Sequence, residues 1–120
     1  MPKEHREFFT VDLETGWESP PGYPPGIQQK ILSGELDEVG RRGIRTRLLR
    51  FLPGAHTDIP FEHEYWEEVN VLSGDLQVGG HTFRRFTHAC RPPHVPHGPF
   101  ASEQGCLLLE LHYFGSEIRD

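Results

Sequence analysis

The sequence has little of what would mark a helical, membrane-embedded or disulfide-built protein. Its 120 residues include two cysteines, Cys90 and Cys106. Two are too few for a disulfide scaffold, so reduced and largely buried thiols are expected. No apolar run approaches the roughly 20 residues that a membrane helix needs. The opening MPKEHREFF lacks the apolar centre of a signal peptide, and a cytoplasmic protein without membrane contact is expected. Basic residues are outnumbered, 12 against 18 acidic, for a net charge of −6. That excess argues against a nucleic-acid partner, because such affinity comes from Lys and Arg neutralising phosphates. The local group Arg41, Arg42, Arg45, Arg47 and Arg50 alternates with apolar positions and reads as a solvated strand face, with an anion site as the alternative.

What the chain does have is punctuation. With 13 Gly and 11 Pro, few stretches can hold a helix, and none shows a convincing amphipathic period. Residues 1–26 form an irregular N-terminal arm, broken at Pro20-Pro21-Gly22 and Pro24-Pro25-Gly26. Phe8, Phe9, Val11 and Leu13 could make a short strand in it. Trp17 and Tyr23 would anchor the arm on the body or on a neighbouring subunit. Residues 27–120 form the second unit. In it, residues 27–32 are a strand or turn ended by Ser33-Gly34, and residues 43–52 (GIRTRLLRFL) alternate as a half-buried strand should. Further short strands are expected over 69–72, 75–78, 81–86 and 87–91. A dense leucine strand follows over 106–114, and the tail over 115–120 is polar. Seven or eight short strands with frequent turn signals predict an all-β sandwich or closed barrel.

The stretch 53–74, PGAHTDIPFEHEYWEEVNVLSG, carries the chemistry. Alternation along a strand points Phe61 and His63 to one side and Glu62 to the other. Beyond the bend at Tyr65-Trp66, Glu67, Val69 and Val71 share an inward face. His97, in PPHVPHGPF, joins His63 and Glu67 if the chain folds back. His56 has the wrong parity and reads as a surface histidine, as do His81 and His88, while His94 is a turn residue. Glu110 and His112 share parity on the last strand and reach at most the floor of a pocket.

These residues resemble the first motif of the cupin superfamily, G-x5-H-x-H-x3-E-x6-G. Gly54, Phe61-Glu62-His63, Glu67 and Gly74 match it, with one extra residue after the first glycine. The second motif, P-x-G-x-x-H-x3-N, resembles Pro92 to His97, with His94 in the glycine slot and Ala101 in the asparagine slot. The resemblance covers about residues 44–113. It implies a cupin-type jelly-roll β-barrel that binds a divalent metal at its mouth through His63, Glu67 and His97. Phe61 stands where the family has its first ligand histidine, so three donors remain where many relatives have four.

Two histidines and a carboxylate match the donor inventory of non-haem iron(II) oxygenases, so Fe2+ is favoured, with Zn2+, Ni2+ and Mn2+ as alternatives. Phe61, Trp66 and Phe100 are expected to line an apolar pocket for a small-molecule substrate. The expected function is a metal-dependent enzyme, an oxygenase or else a lyase or isomerase. Competing readings are a non-catalytic ligand-binding sensor and a metal-free sugar-nucleotide epimerase. No helix-turn-helix or zinc segment accompanies the barrel pattern, which favours the enzyme. A homodimer is expected, because the aromatic arm cannot bury its rings alone.

Overall fold

A computed structural model describes residues 3–115. It contains eight strands: β1 (Ile27–Asp37), β2 (Arg42–Phe51), β3 (Trp66–Gly74), β4 (Leu76–Val78), β5 (His81–Phe83), β6 (His88–Arg91), β7 (Phe100–Ala101) and β8 (Cys106–Tyr113). Five form one antiparallel sheet in the order β1-β2-β8-β3-β6, and three form a second in the order β5-β4-β7. Among the described residues no helix is long and apolar enough to cross a membrane.

Strand β8 shows why the sheet buries one face. In CLLLELHY, Cys106, Leu108, Glu110 and His112 are buried, while the residues between them are only partly so. Alternation with period two puts these four on the inner side. The register then stacks inner residues into rows that cross the sheet. Arg45 pairs with His112, His112 with Glu67, and Glu67 with Arg91. One row below, Arg47 lies opposite Glu110 and Glu110 opposite Val69. Deeper still, Leu49, Leu108 and Val71 face one another. They join Ile27, Phe51 and Leu76 in the hydrophobic core. The inner surface is therefore apolar at one end and charged at the other.

Several details differ from the sequence expectation. β1 does not stop at Ser33-Gly34. It continues to Asp37, with a bulge in its pairing to β2 between Ile31 and Ser33. The bulge leaves Leu32 out of the pairing, while Gly34 stays opposite Arg45 at φ +81° with no room for a side chain. Phe8 to Leu13 form no strand, and the one bridge of the arm joins Glu18 to Gln29. Cys106 is buried as expected, but Cys90 is exposed. Arg47 is not part of a solvated face. It is only 2% exposed and lies inside the sheet. Of the expected polar tail, all but Gly115 lies outside the described residues.

The segment before β3 pairs only at isolated points, with β7 and with the loop that precedes it. His56 bridges Ala101 and Phe61 bridges His97. Pro60, Pro96 and Pro99 lack the N–H groups that a continuous ladder would need there. The arm lies along its own barrel. Trp17 covers the Arg50 guanidinium at 4.1 Å, and Tyr23 reaches the charged end of the inner face, where its hydroxyl accepts a hydrogen bond from Arg47.

Candidate metal centre

Three short-range constraints bring the donors together. Phe61 and His97 exchange both backbone hydrogen bonds, at 2.7 and 2.9 Å. That pairing ties the segment carrying His63 to the loop carrying His97. The His94 N–H also donates to the His63 carbonyl at 2.8 Å. Glu67 enters from β3 on the inner face. One donor atom from each of His63, Glu67 and His97 lies within 4.8 Å of the others. His97 Nε2 is 3.3 Å from Glu67 Oε1, and His63 Nε2 is 3.9 Å from Glu67 Oε2.

The hydrogen bonds decide which atoms are free to bind an ion. His97 Nδ1 lies 3.1 Å from the Val95 carbonyl. An oxygen there can only accept, so Nδ1 carries a proton and Nε2 is the atom that faces Glu67. His63 Nε2 is buried and has no hydrogen-bond partner. Burial pushes the His63 imidazole down to about 4, against the opposing pull of Glu67, so the ring is neutral near pH 7. Two imidazole Nε2 atoms thus converge on one carboxylate. Two imidazoles and one carboxylate are donor types that suit a divalent cation.

His112 and Arg91 hold the carboxylate. The Arg45 guanidinium donates from Nε at 3.1 Å and Nη2 at 2.8 Å to His112 Nδ1. Guanidinium cannot accept, so the His112 proton sits on Nε2 and is donated to Glu67 Oε2 at 2.9 Å. Arg91 Nη1 donates to Glu67 Oε1 at 3.0 Å. A second acid cluster, Glu67, Glu110 and His112, is fully buried. Its groups are held by protons, since His112 Nε2 carries one and Arg47 donates to Glu110 at 2.8 Å. Burial alone would raise the Glu110 carboxyl. Arg47 beside it and the bond from His112 hold it well below the usual range. His112, 0% exposed, therefore acts as the floor of the site and orients the Glu67 carboxylate.

Phe61 sits beside the two histidine rings, at centroid distances of 6.1 Å from His63 and 6.4 Å from His97. It separates two spaces. The inner cavity, bounded by Phe61, Glu67, Arg91, His97 and Phe100, holds about 20 Å³, room for roughly one water. The cleft at the mouth, bounded by Tyr23, Arg45, Phe61, His63 and Tyr65, holds about 370 Å³. Trp66 lines neither. It projects from the opposite face of β3, stacked on Tyr113 at 6.4 Å, and borders a separate cleft with Arg41 and His94. One residue of parity separates it from Glu67.

Solved structures share this architecture. An RmlC-like cupin from Shewanella frigidimarina superposes with a TM-score of 0.65 at 21% identity, covering 93% of this chain and 95% of that one. The chain has the cupin fold. KdgF from a Halomonas species gives a TM-score of 0.65 at 23% identity, over 96% and 97% of the two chains. An acetylacetone dioxygenase from Acinetobacter johnsonii gives 0.67 at 13% identity, over 92% and 76%. No family model and no curated protein matches the sequence. Within the cupin pattern, His94 occupies a glycine slot and has φ +68°, the left-handed conformation that glycine adopts freely. Gly74 closes the first motif because an added Cβ would lie 1.9 Å from the Gly105 carbonyl oxygen.

The sequence alone did not place Tyr23, Arg45, Arg47, Tyr65 or Arg91 at the site. A signal for the inner arginines was present. Glu110 falls at the buried parity of an otherwise apolar strand, and a buried carboxylate needs a cation across the sheet.

Proposed function

We propose that this cupin is a metal-dependent enzyme acting on a small organic molecule, with a dioxygenase-type oxidation favoured. The observation that carries the reading is His63 Nε2, buried and unpartnered, facing a carboxylate that also faces His97 Nε2. His63, Glu67 and His97 would hold the ion, and Fe2+ is favoured for a donor set of two imidazoles and one carboxylate. Such an ion supplies Lewis acidity and, as iron, a place to activate O2. The chain's own residues do the rest. Arg91 and His112 fix Glu67 from two sides. Phe61 and Tyr23, with ring centroids 4.7 Å apart, keep bulk water from the donors. The substrate docks in the mouth cleft beside His63, because the inner cavity admits no organic molecule.

A metal-free binding module is the second reading. It is favoured by the Arg91–Glu67 pair, which already balances the carboxylate. Elemental analysis of purified protein, before and after chelator dialysis and Fe2+ repletion, separates the two. One equivalent of metal in wild type, lost in His63→Ala and His97→Ala, supports the enzyme. Absence of metal after repletion supports the module. We also propose a homodimer: Phe8 is 103% exposed and Phe9 beside it is covered on one side by Arg6. Light scattering at tens of micromolar tests it, and a monomer there overturns it.

A further inference from the structure

The mouth cleft contains a cation without a counter-ion. Arg41, Arg42, Arg47 and Arg91 each pair with a carboxylate. Arg45 does not, among the described residues. Its partner is Nδ1 of His112, a neutral acceptor, which takes Nε and Nη2. The remaining N–H groups of Arg45 belong to a partly buried side chain that lines the cleft. A half-desolvated guanidinium with open donors is a strong site for a planar oxyanion.

Tyr65 supplies a second donor. Its ring is 5% exposed and lies flat on His63, 4.6 Å away at an angle of 9°. It borders the same cleft as Arg45. No hydrogen bond to its hydroxyl occurs among the described residues. The Arg47 charge is already matched by Glu110, which leaves Arg45 as the cleft arginine without a paired carboxylate. Two acids border the cleft, Glu38 and Glu62, both exposed. They disfavour anions of high charge such as phosphate esters.

We infer that the mouth cleft is a carboxylate site, in which Arg45 and the Tyr65 hydroxyl hold the carboxylate of a small monoanionic organic acid beside His63. The catalytic meaning of this site rests on the reading above, but binding of the acid requires no metal. The substrate class is thus a short carboxylic acid small enough for about 370 Å³, presented with its carboxylate toward β2 and its reactive carbons toward the metal ligands.

The test is calorimetric titration of two probes of equal length. Acetoacetate carries the carboxylate, and acetylacetone has a methyl ketone in its place. The preference is read in metal-depleted protein, where no ion can chelate the diketone, and metal content is measured separately. Wild type is expected to bind acetoacetate at least about tenfold more tightly. Tyr65→Phe should weaken acetoacetate by roughly three- to tenfold while leaving acetylacetone, thermal midpoint and metal content unchanged. Arg45→Gln should abolish the preference and Arg45→Lys should keep part of it. Because Arg45 also orients His112, Tyr65→Phe carries the test if Arg45→Gln proves unstable. Equal binding of the two probes by wild type overturns the inference, as does a preference that survives Tyr65→Phe undiminished. A wild-type preference in a protein that never retains metal overturns only the enzyme reading.

Discussion

Phe61 and His97 are joined by a reciprocal pair of backbone hydrogen bonds, so the residue in the first motif slot stands directly across from a candidate ligand. Its ring stands beside both histidines without offering a lone pair. The position is therefore geometrically suited to a fourth donor that the sequence withholds.

Phe61→His should fill it. The expected result is slower metal loss during chelator dialysis and reduced turnover, since a position open to substrate or water becomes occupied. Metal content against dialysis time measures the first effect. Retention identical to wild type would make Phe61 an ordinary wall residue.

His63 gives the opposite case. Its unpartnered Nε2 costs the metal-free fold about 1–3 kcal/mol. His63→Phe should remove that cost while abolishing metal binding. The variant's thermal midpoint without metal should equal or exceed that of metal-free wild type. A large drop in midpoint would mean that the nitrogen is satisfied in solution.

The buried pair Arg47–Glu110 should be indispensable to stability. Arg47→Met leaves Glu110 without its counter-ion in a row that is closed to water. A loss of about 3–5 kcal/mol is expected. The double variant Arg47→Met/Glu110→Leu should recover much of it. Urea unfolding of both proteins at pH 7 checks this, and no recovery would point to packing instead.

Acid should destabilise the metal-free protein in two overlapping stages. His63 titrates near 4 in the fold against an ordinary value of 6.5. The unfolded chain therefore takes up the proton first, and stability falls as pH drops from 6.5 to about 4. Above 6.5 this group contributes no slope. The Glu110 carboxyl is depressed below its ordinary 4.5, so its contribution is intact above that value and is lost below it. Urea midpoints across pH 7 to 4 measure the slope. His63→Phe should flatten the upper stage alone.

The sequence by itself determined the strand content, because short alternating runs between Gly and Pro leave no other regular structure. It also placed His63, Glu67 and His97 in one motif frame, and put Glu110 and His112 on the buried side of the last strand. What it did not settle was the neighbours of those residues. Arg47 and Arg50 look alike in RTRLLRF, yet Arg47 is buried against Glu110 while Arg50 lies under Trp17 on the other face. Trp66 is a different case: it is adjacent to Glu67, so strand parity by itself puts it on the opposite side of β3. Tertiary structure alone brought Tyr23 from the arm over Phe61, and set Arg45, His112, Glu67 and Arg91 in one row across four strands. The physical reason is that side-chain parity is local to a strand, whereas register between strands depends on bulges and turns. A bulge such as that at Ile31 to Ser33 shifts every later pairing by one residue.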